Sequence, residues 1–209
     1  MSLKVNSDCI MEINMNEHFF NNYFRHTRRG GRSSLGIKSK MIGTMKGDNI
    51  FLDYAITENP HLCNFVELGT YGGFTSLFLG LMARLRNADF YTFDIFDNRV
   101  DIVKKAWLSN MFFIQDDILT NINTKVIDLI SKENTFLFID NGNKIKETNM
   151  YLDYMKKGSV IVIHDWNTEI KIEDVEDVLR RNNMKSLYED VSTSLNSLGR
   201  CWIKEYLEV

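Results

Sequence analysis

Val66-Glu67-Leu68-Gly69-Thr70-Tyr71-Gly72-Gly73-Phe74-Thr75-Ser76 is the stretch that decides the fold of this chain. An apolar run enters a glycine turn, and an apolar helical segment (residues 74–85) leaves it. Glycine adopts φ > 0 without penalty and lets a ligand approach the backbone closely. The helix that follows offers unpaired N–H groups and the positive end of its dipole at the same place. Strand, turn and helix in this order make a ligand site at the carboxyl end of a strand.

Working outward, the same alternation recurs. Apolar strands are expected over 63–68, 89–95, 111–115, 135–139 and 159–164, with helices at about 74–85, 100–108, 121–131, 146–155 and 172–181. Upstream, Ile50, Phe51, Tyr54 and Ala55 recur at helical spacing over 48–57, and Pro60 ends that helix. Downstream, strand-like runs at 186–191 and 200–206 are joined by 192–199 and suit a closing hairpin. The pattern predicts an α/β, doubly wound, Rossmann-like fold: a mostly parallel seven-stranded sheet with a C-terminal antiparallel hairpin. Residues 1–40 read as an N-terminal helix and a basic loop (Arg25, Arg28, Arg29, Arg32), a lid or substrate segment, and 41–209 as one domain.

Composition narrows the partners. The 209 residues are 44% hydrophobic and 25% charged, the balance of a single well-cored domain. A net charge of -3 argues against nucleic acid as partner and leaves a small-molecule substrate open. No apolar run approaches the ~20 residues of a membrane span. Cys9, Cys63 and Cys201 form no CxxC or Cys/His spacing, so no zinc site is expected, and free thiols with no visible leader suit a cytoplasmic protein. Nothing in the sequence indicates an oligomeric state.

A second strand ends in Phe93-Asp94, where an acid can hydrogen-bond a ribose hydroxyl. A nicotinamide fold puts an acid there too, but its turn is G-x-G-x-x-G. Here the spacing is Glu67-x-Gly69-x-x-x-Gly73, and Tyr71 stands where a pyrophosphate needs glycine. An acid ahead of the turn suits a ligand with a positive amino group.

Taken together, Glu67 to Thr75 resembles the first motif of class I S-adenosylmethionine-dependent methyltransferases, especially the small O-methyltransferases of the catechol and caffeoyl-CoA type. The resemblance continues through Tyr91-Thr92-Phe93-Asp94, Gln115-Asp116-Asp117, Phe138-Ile139-Asp140 and Lys157 to Asp165, with Met41-Ile42-Gly43 through Gly47 similar to the segment that closes over the cofactor. It implies that Glu67, Gly69 and Gly73 line the methionine end of S-adenosylmethionine, with Thr70 and Tyr71 beside it. Asp94 would hold the ribose, and Asp116 or Asp117 the adenine amino group.

At the chemical end, the accepting oxygen must lose its proton to a base or to a divalent cation that lowers its pKa. Asp140 and Asp165 end neighbouring strands, where a hard cation could sit between them. In metal-dependent members of the resembled family, acids at these positions bind Mg²⁺. His164-Asp165-Trp166-Asn167 also resembles the HDW end of a broader group that includes sugar and antibiotic-tailoring methyltransferases. Two departures from the catechol type stand out: Trp166 follows Asp165 in place of an amide, and Lys144 lies one residue further from Asp140 than that type's lysine base. His164 is a base, a ligand or a hydrogen-bonded core residue, and Lys144 a base or a solvated lysine. Asn143 and Asn167 are candidate third ligands, while Trp166 and Trp202 read as core before substrate platform. The expectation is O-methylation of a small molecule or sugar, anionic if the basic loop touches it. The competing readings are an NAD-type oxidoreductase and a non-catalytic cofactor-binding or scaffold protein.

Overall fold

The computed structural model describes residues 46–205. The expected N-terminal helix, the basic loop, residues 41–45 of the cofactor-closing segment and Cys9 lie outside the described residues. The chain order is α1 (Lys46–Thr57), β1 (Asn64–Leu68), α2 (Phe74–Arg84), β2 (Phe90–Asp94), α3 (Asp101–Lys105), β3 (Met111–Gln115), α4 (Thr124–Ile130), β4 (Thr135–Ile139) and α5 (Lys144–Tyr151). A 3-10 turn (Leu152–Tyr154) follows, then β5 (Val160–Ile163), α6 (Ile172–Arg181), β6 (Met184–Leu187), α7 (Glu189–Ser194) and β7 (Arg200–Lys204).

The strands form one seven-stranded sheet in the order β3-β2-β1-β4-β5-β7-β6. β1 to β5 run parallel, and β7 pairs antiparallel with both β5 and β6. The doubly wound reading therefore holds. The antiparallel C-terminal pair is present as β6 and β7, with β6 lying earlier than the expected 186–191 run and a helical turn, α7, joining the two strands. Tyr188 enters that turn at φ 60, and the Ser192 hydroxyl inside it donates to Gly199 O at 2.6 Å.

Every residue of β4 and β5 is buried, which is why these strands read as unbroken apolar runs. Phe65, Phe90, Phe136 and Phe138 are fully buried beside Leu68, Ile139 and Ile163. Deleting one such ring costs about 3–5 kcal/mol. Trp166 and Trp202 pack with ring centroids 4.9 Å apart and are 8% and 4% exposed, as core residues. On α1, Phe51, Leu52, Ala55 and Ile56 face inward, while Ile50 and Tyr54 point outward.

Register aligns the strand ends. Leu68 lies opposite Phe93 on one side and Ile139 on the other, Asp94 opposite Gln115, and Ile139 opposite Ile163. Gly69, Asp94, Asp116, Asp140 and His164 thus emerge along one edge of the sheet. The order reverses between β1 and β4, the switch point at which open α/β sheets bind ligands. No helix among the described residues is long and apolar enough to cross a membrane. Cys63 and Cys201 are free thiols.

Candidate functional site

The turn after β1 is built by positive φ. Gly69 has φ +104 and Gly73 φ +81, and Tyr71 between them is held at φ 42. A Cβ on Gly73 would lie 2.7 Å from Val103 Cγ1, so the helix start fits closely against α3. The amide of Tyr71 donates to Asp94 Oδ2 at 2.8 Å, and that of Phe96 to Oδ1 at 3.3 Å. These bonds fix the Asp94 carboxylate at the mouth of the turn. The Tyr71 side chain is 67% exposed, a strained backbone position with its ring turned outward.

The Glu67 side chain is fully buried, and its carboxyl accepts from the Ser76 hydroxyl and, at 2.6 Å, from Thr92 Oγ1. Thr92 Oγ1 is in turn 2.5 Å from Thr70 Oγ1, so Thr70 belongs to the same network. Burial raises the Glu67 carboxyl to about 8, since the two hydroxyls offset only part of the lost hydration and Asp140 and Asp94 add repulsion. Glu67 therefore braces β1, β2 and α2 around the turn.

Of the two candidate adenine acids, Asp117 is used locally: it accepts from the amides of Leu119 and Thr120 and from the Thr120 hydroxyl. Asp116 stands next to Asp94, its amide donating to Asp94 O at 3.0 Å, and its carboxylate pairs with Lys125 Nζ at 3.1 Å. Both carboxylates are thus engaged, Asp117 within its own turn and Asp116 with Lys125.

The chemical end gathers around His164. Its Nδ1 is 2.9 Å from Asp140 Oδ1 and 3.3 Å from Asp165 Oδ1, and its Nε2 is 3.2 Å from Asp48 Oδ2. Burial opposes a charge on this imidazole, but the three carboxylates push it up to about 12. Hydrogen bonding to His164 holds Asp165 well below the usual carboxylate range. Lys144 is 4% exposed, and its Nζ lies 2.9 Å from Asp165 Oδ2, 2.8 Å from Glu169 Oε2, 2.9 Å from Asn141 O and 3.8 Å from Asp140 Oδ1. Burial lowers its pKa, yet Glu169 and Asp165 outweigh that and raise it. The expected solvated lysine is instead a buried ammonium inside the cluster.

Asp165 sits at φ 55 and Asn167 at φ 63. Asp165 O caps the following turn by accepting from the amides of Thr168 and Glu169. Asn143 caps α5 through Lys146 N at 3.1 Å, so its side chain is committed to the helix. One donor atom each from Asp140, His164 and Asp165 lies within 4.8 Å of the others, a set that could hold a metal ion.

Three members of the site escaped the sequence. Asp48 is 1% exposed and accepts from Ser197 Oγ at 2.7 Å and from Leu198 N at 2.8 Å, tying α1 to the β7 approach as well as to His164. The signal was there: Asp48 shares the inward stripe of Phe51, Leu52 and Ala55, where an acid is out of place. Glu169 reaches Lys144 from the turn after β5. Glu147, fully buried on α5, lies on the same face as Lys144, Thr148 and Tyr151.

Residues 66–166 match the family model described as a methyltransferase domain. No curated protein matches the chain significantly. Among solved structures, SAH-bound PaMTH1, a methyltransferase of Podospora anserina, superposes with a TM-score of 0.55 at 12% identity, covering 99% of both chains. CalS11, described as a TDP-rhamnose 3'-O-methyltransferase, gives 0.57 at 10% identity over 96% of both chains. CmcI with SAH bound gives 0.52 at 14% identity over 79% of this chain and 81% of its own. Residues 66–166 thus match a methyltransferase domain, and the seven-stranded fold is similar to that of these solved methyltransferases.

Proposed function

We propose that this protein transfers the sulfonium methyl of S-adenosylmethionine to a hydroxyl oxygen of a small molecule or sugar. One observation carries the reading: the glycine turn and the Asp140–His164–Asp165 cluster abut. Asp140 N donates to Leu68 O at 2.8 Å, and a Cβ on Gly69 would stand 2.6 Å from the Asp140 carbonyl. A methyl group held over the turn would face the cluster directly.

In the step, an oxygen lone pair forms the new C–O bond while the S–CH₃ bond breaks. Its electron pair stays on sulfur, leaving a neutral thioether, and the hydroxyl proton passes by way of Asp140 to solvent. Asp140 and Asp165 would orient the hydroxyl, and the fixed charges of Lys144 and His164 keep the acids ionised. In this arrangement neither cation is the base that the sequence suggested as a candidate role, because each already holds its proton among carboxylates. The donor set also fits a divalent cation such as Mg²⁺ on Asp140 and Asp165, with His164 beside them. When bound, it would lower the pKa of the accepting hydroxyl. Asp94 would take the ribose hydroxyls, and Asp116, the acid not tied up in a local turn, the adenine amino group.

An anionic, phosphorylated or nucleotide-linked sugar is the substrate class that the arginines at 25, 28, 29 and 32 favour. Loss of both Arg28 and Arg29 to alanine should then weaken substrate affinity and spare that of the cofactor. The central test is calorimetric titration with S-adenosylmethionine and, separately, with NAD⁺, repeated on Asp94→Ala. Micromolar binding of S-adenosylmethionine that collapses in the variant supports the reading. Binding of NAD⁺ alone overturns it.

A further inference from the structure

His164 gives one ring nitrogen to the acidic cluster and the other to Asp48. Nδ1 lies 2.9 Å from Asp140 Oδ1 and 3.3 Å from Asp165 Oδ1, so it is the ring atom that a cation on those two acids would meet. Nε2 lies 3.2 Å from Asp48 Oδ2. It is sealed from solvent and has no aligned hydrogen bond among the described residues, which leaves the Asp48 carboxylate as the acceptor within reach. A buried ring N–H needs such an acceptor.

Asp48 is itself firmly held. It is 1% exposed on α1, and its other oxygen, Oδ1, accepts from Ser197 Oγ at 2.7 Å and from Leu198 N at 2.8 Å. Those two bonds, from the approach to β7, orient the carboxylate and leave Oδ2 for the ring. Asp165 divides its oxygens in the same way, Oδ1 toward His164 and Oδ2 toward Lys144 Nζ at 2.9 Å. A carboxylate–imidazole–carboxylate line therefore runs from α1 to the ends of β4 and β5.

An imidazole binds metal through a nitrogen that carries no proton, and the bond made by its other nitrogen decides which one that is. A carboxylate only accepts, so Asp48 keeps the proton on Nε2 and leaves the Nδ1 lone pair to the cluster. Resting on the cation site of the function proposed above, we propose that Asp48 is a positioning residue that makes His164 a metal ligand through Nδ1. A metal ion there takes the place of the proton that otherwise lies between the ring and Asp140. The donor set becomes one nitrogen and two carboxylates. Imidazole suits first-row transition ions, whereas Mg²⁺ prefers oxygen. The cluster therefore holds Co²⁺ or Mn²⁺ more tightly than Mg²⁺, with His164 as the discriminating donor.

The experiment loads the full chain with Co²⁺ or with Mg²⁺, in the absence of methyl donor and acceptor. Proton NMR of the Co²⁺-loaded protein in water should show a hyperfine-shifted, exchangeable ring N–H, the Nε2 proton held against Asp48, and His164→Gln should lack it. Asp48→Asn keeps an oxygen for Ser197 and Leu198 but turns an amide N–H toward Nε2. That donor favours the opposite tautomer, whose proton on Nδ1 blocks the metal. Calorimetry should then show Co²⁺ affinity about 10–100-fold lower in Asp48→Asn, with Mg²⁺ affinity within about twofold of wild type, since two carboxylates still hold the harder ion. A purely structural Asp48 would weaken both ions alike, and that result overturns the proposal. A Co²⁺-loaded wild type without the shifted ring proton overturns it as well, with no variant required to fold. Failure of the wild type to bind either ion would instead remove the cation site itself, and the proposal with it, while leaving methyl transfer through the carboxylates standing.

Discussion

Gly69 at the end of β1 is seated against the backbone of Asp140 at the end of β4. An ideal Cβ on Gly69 would lie 2.6 Å from both the carbonyl carbon and the oxygen of Asp140, and 2.7 Å from Asn141 N. The obstacle is main chain on a central strand, which cannot step aside as a flexible side chain would. Gly69 also holds φ +104, a region that side chains disfavour.

Gly69→Ala is therefore expected to lose roughly 2–4 kcal/mol of stability, combining backbone strain with a forced separation of β1 and β4. Urea unfolding measures it. A variant with an unchanged midpoint would show that the two strand ends can part freely, and the abutment of turn and cluster would lose its meaning.

Glu67 makes stability depend on pH in the opposite sense from an ordinary paired acid. Its carboxyl is raised from 4.5 to about 8 in the folded chain. Between those values the folded state binds the proton and the unfolded chain does not, so stability falls as pH rises through this window, by up to about 1.4 kcal/mol per pH unit. Glu67→Gln keeps an oxygen to accept from Ser76 and Thr92 and removes the ionisation. Its unfolding free energy should decline less between pH 5 and 8 than that of the wild type, and a parallel decline would put the burden on other groups such as Glu147.

The parallel sheet and the position of the glycine turn were legible because both rest on local patterns: glycine where φ must be positive, and apolar runs where strands are buried on both faces. The acids at 94, 140 and 165 were legible as strand-end residues. The places of Lys144 and Glu147 were not, since α5 turns a charged face inward, against the rule that apolar residues mark the buried stripe of a helix. Asp48 stood out as an acid on an inward stripe, but its partners did not: His164, Ser197 and Leu198 are distant in sequence, and only the sheet topology brings them together. The β6–β7 connection was misread because residues 189–194 are polar and short, and polarity alone does not distinguish a loop from a helical turn.

Lys144 separates a fixed charge from a proton acceptor. Arginine keeps a positive charge but does not deprotonate, so Lys144→Arg tests the charge alone. As a fixed charge, Lys144→Arg should stay within about tenfold of wild-type turnover, while Lys144→Met should fall about a hundredfold. Lys144→Met should also unfold earlier, by about 1–3 kcal/mol, since Asp165 loses a buried partner while the more exposed Glu169 is screened by solvent. Equal loss of turnover in both variants, with stability intact in Lys144→Arg, would return the base role to Lys144.

The remaining question at the cluster is how the accepting hydroxyl loses its proton, and Asp165 allows it to be asked cleanly. Asp165 stands 3.3 Å from His164 Nδ1 and 2.9 Å from Lys144 Nζ, within the set that can hold a cation. If Asp140 and Asp165 hold Mg²⁺, EDTA should lower turnover by about a hundredfold or more, added Mg²⁺ should restore it, and cofactor affinity should change by less than about twofold. Asp165→Asn should reproduce the loss and make it insensitive to added metal. Turnover untouched by EDTA but lost in Asp165→Asn would instead make the carboxylate itself the proton acceptor, with Lys144 and His164 supplying the positive field that a metal would otherwise provide.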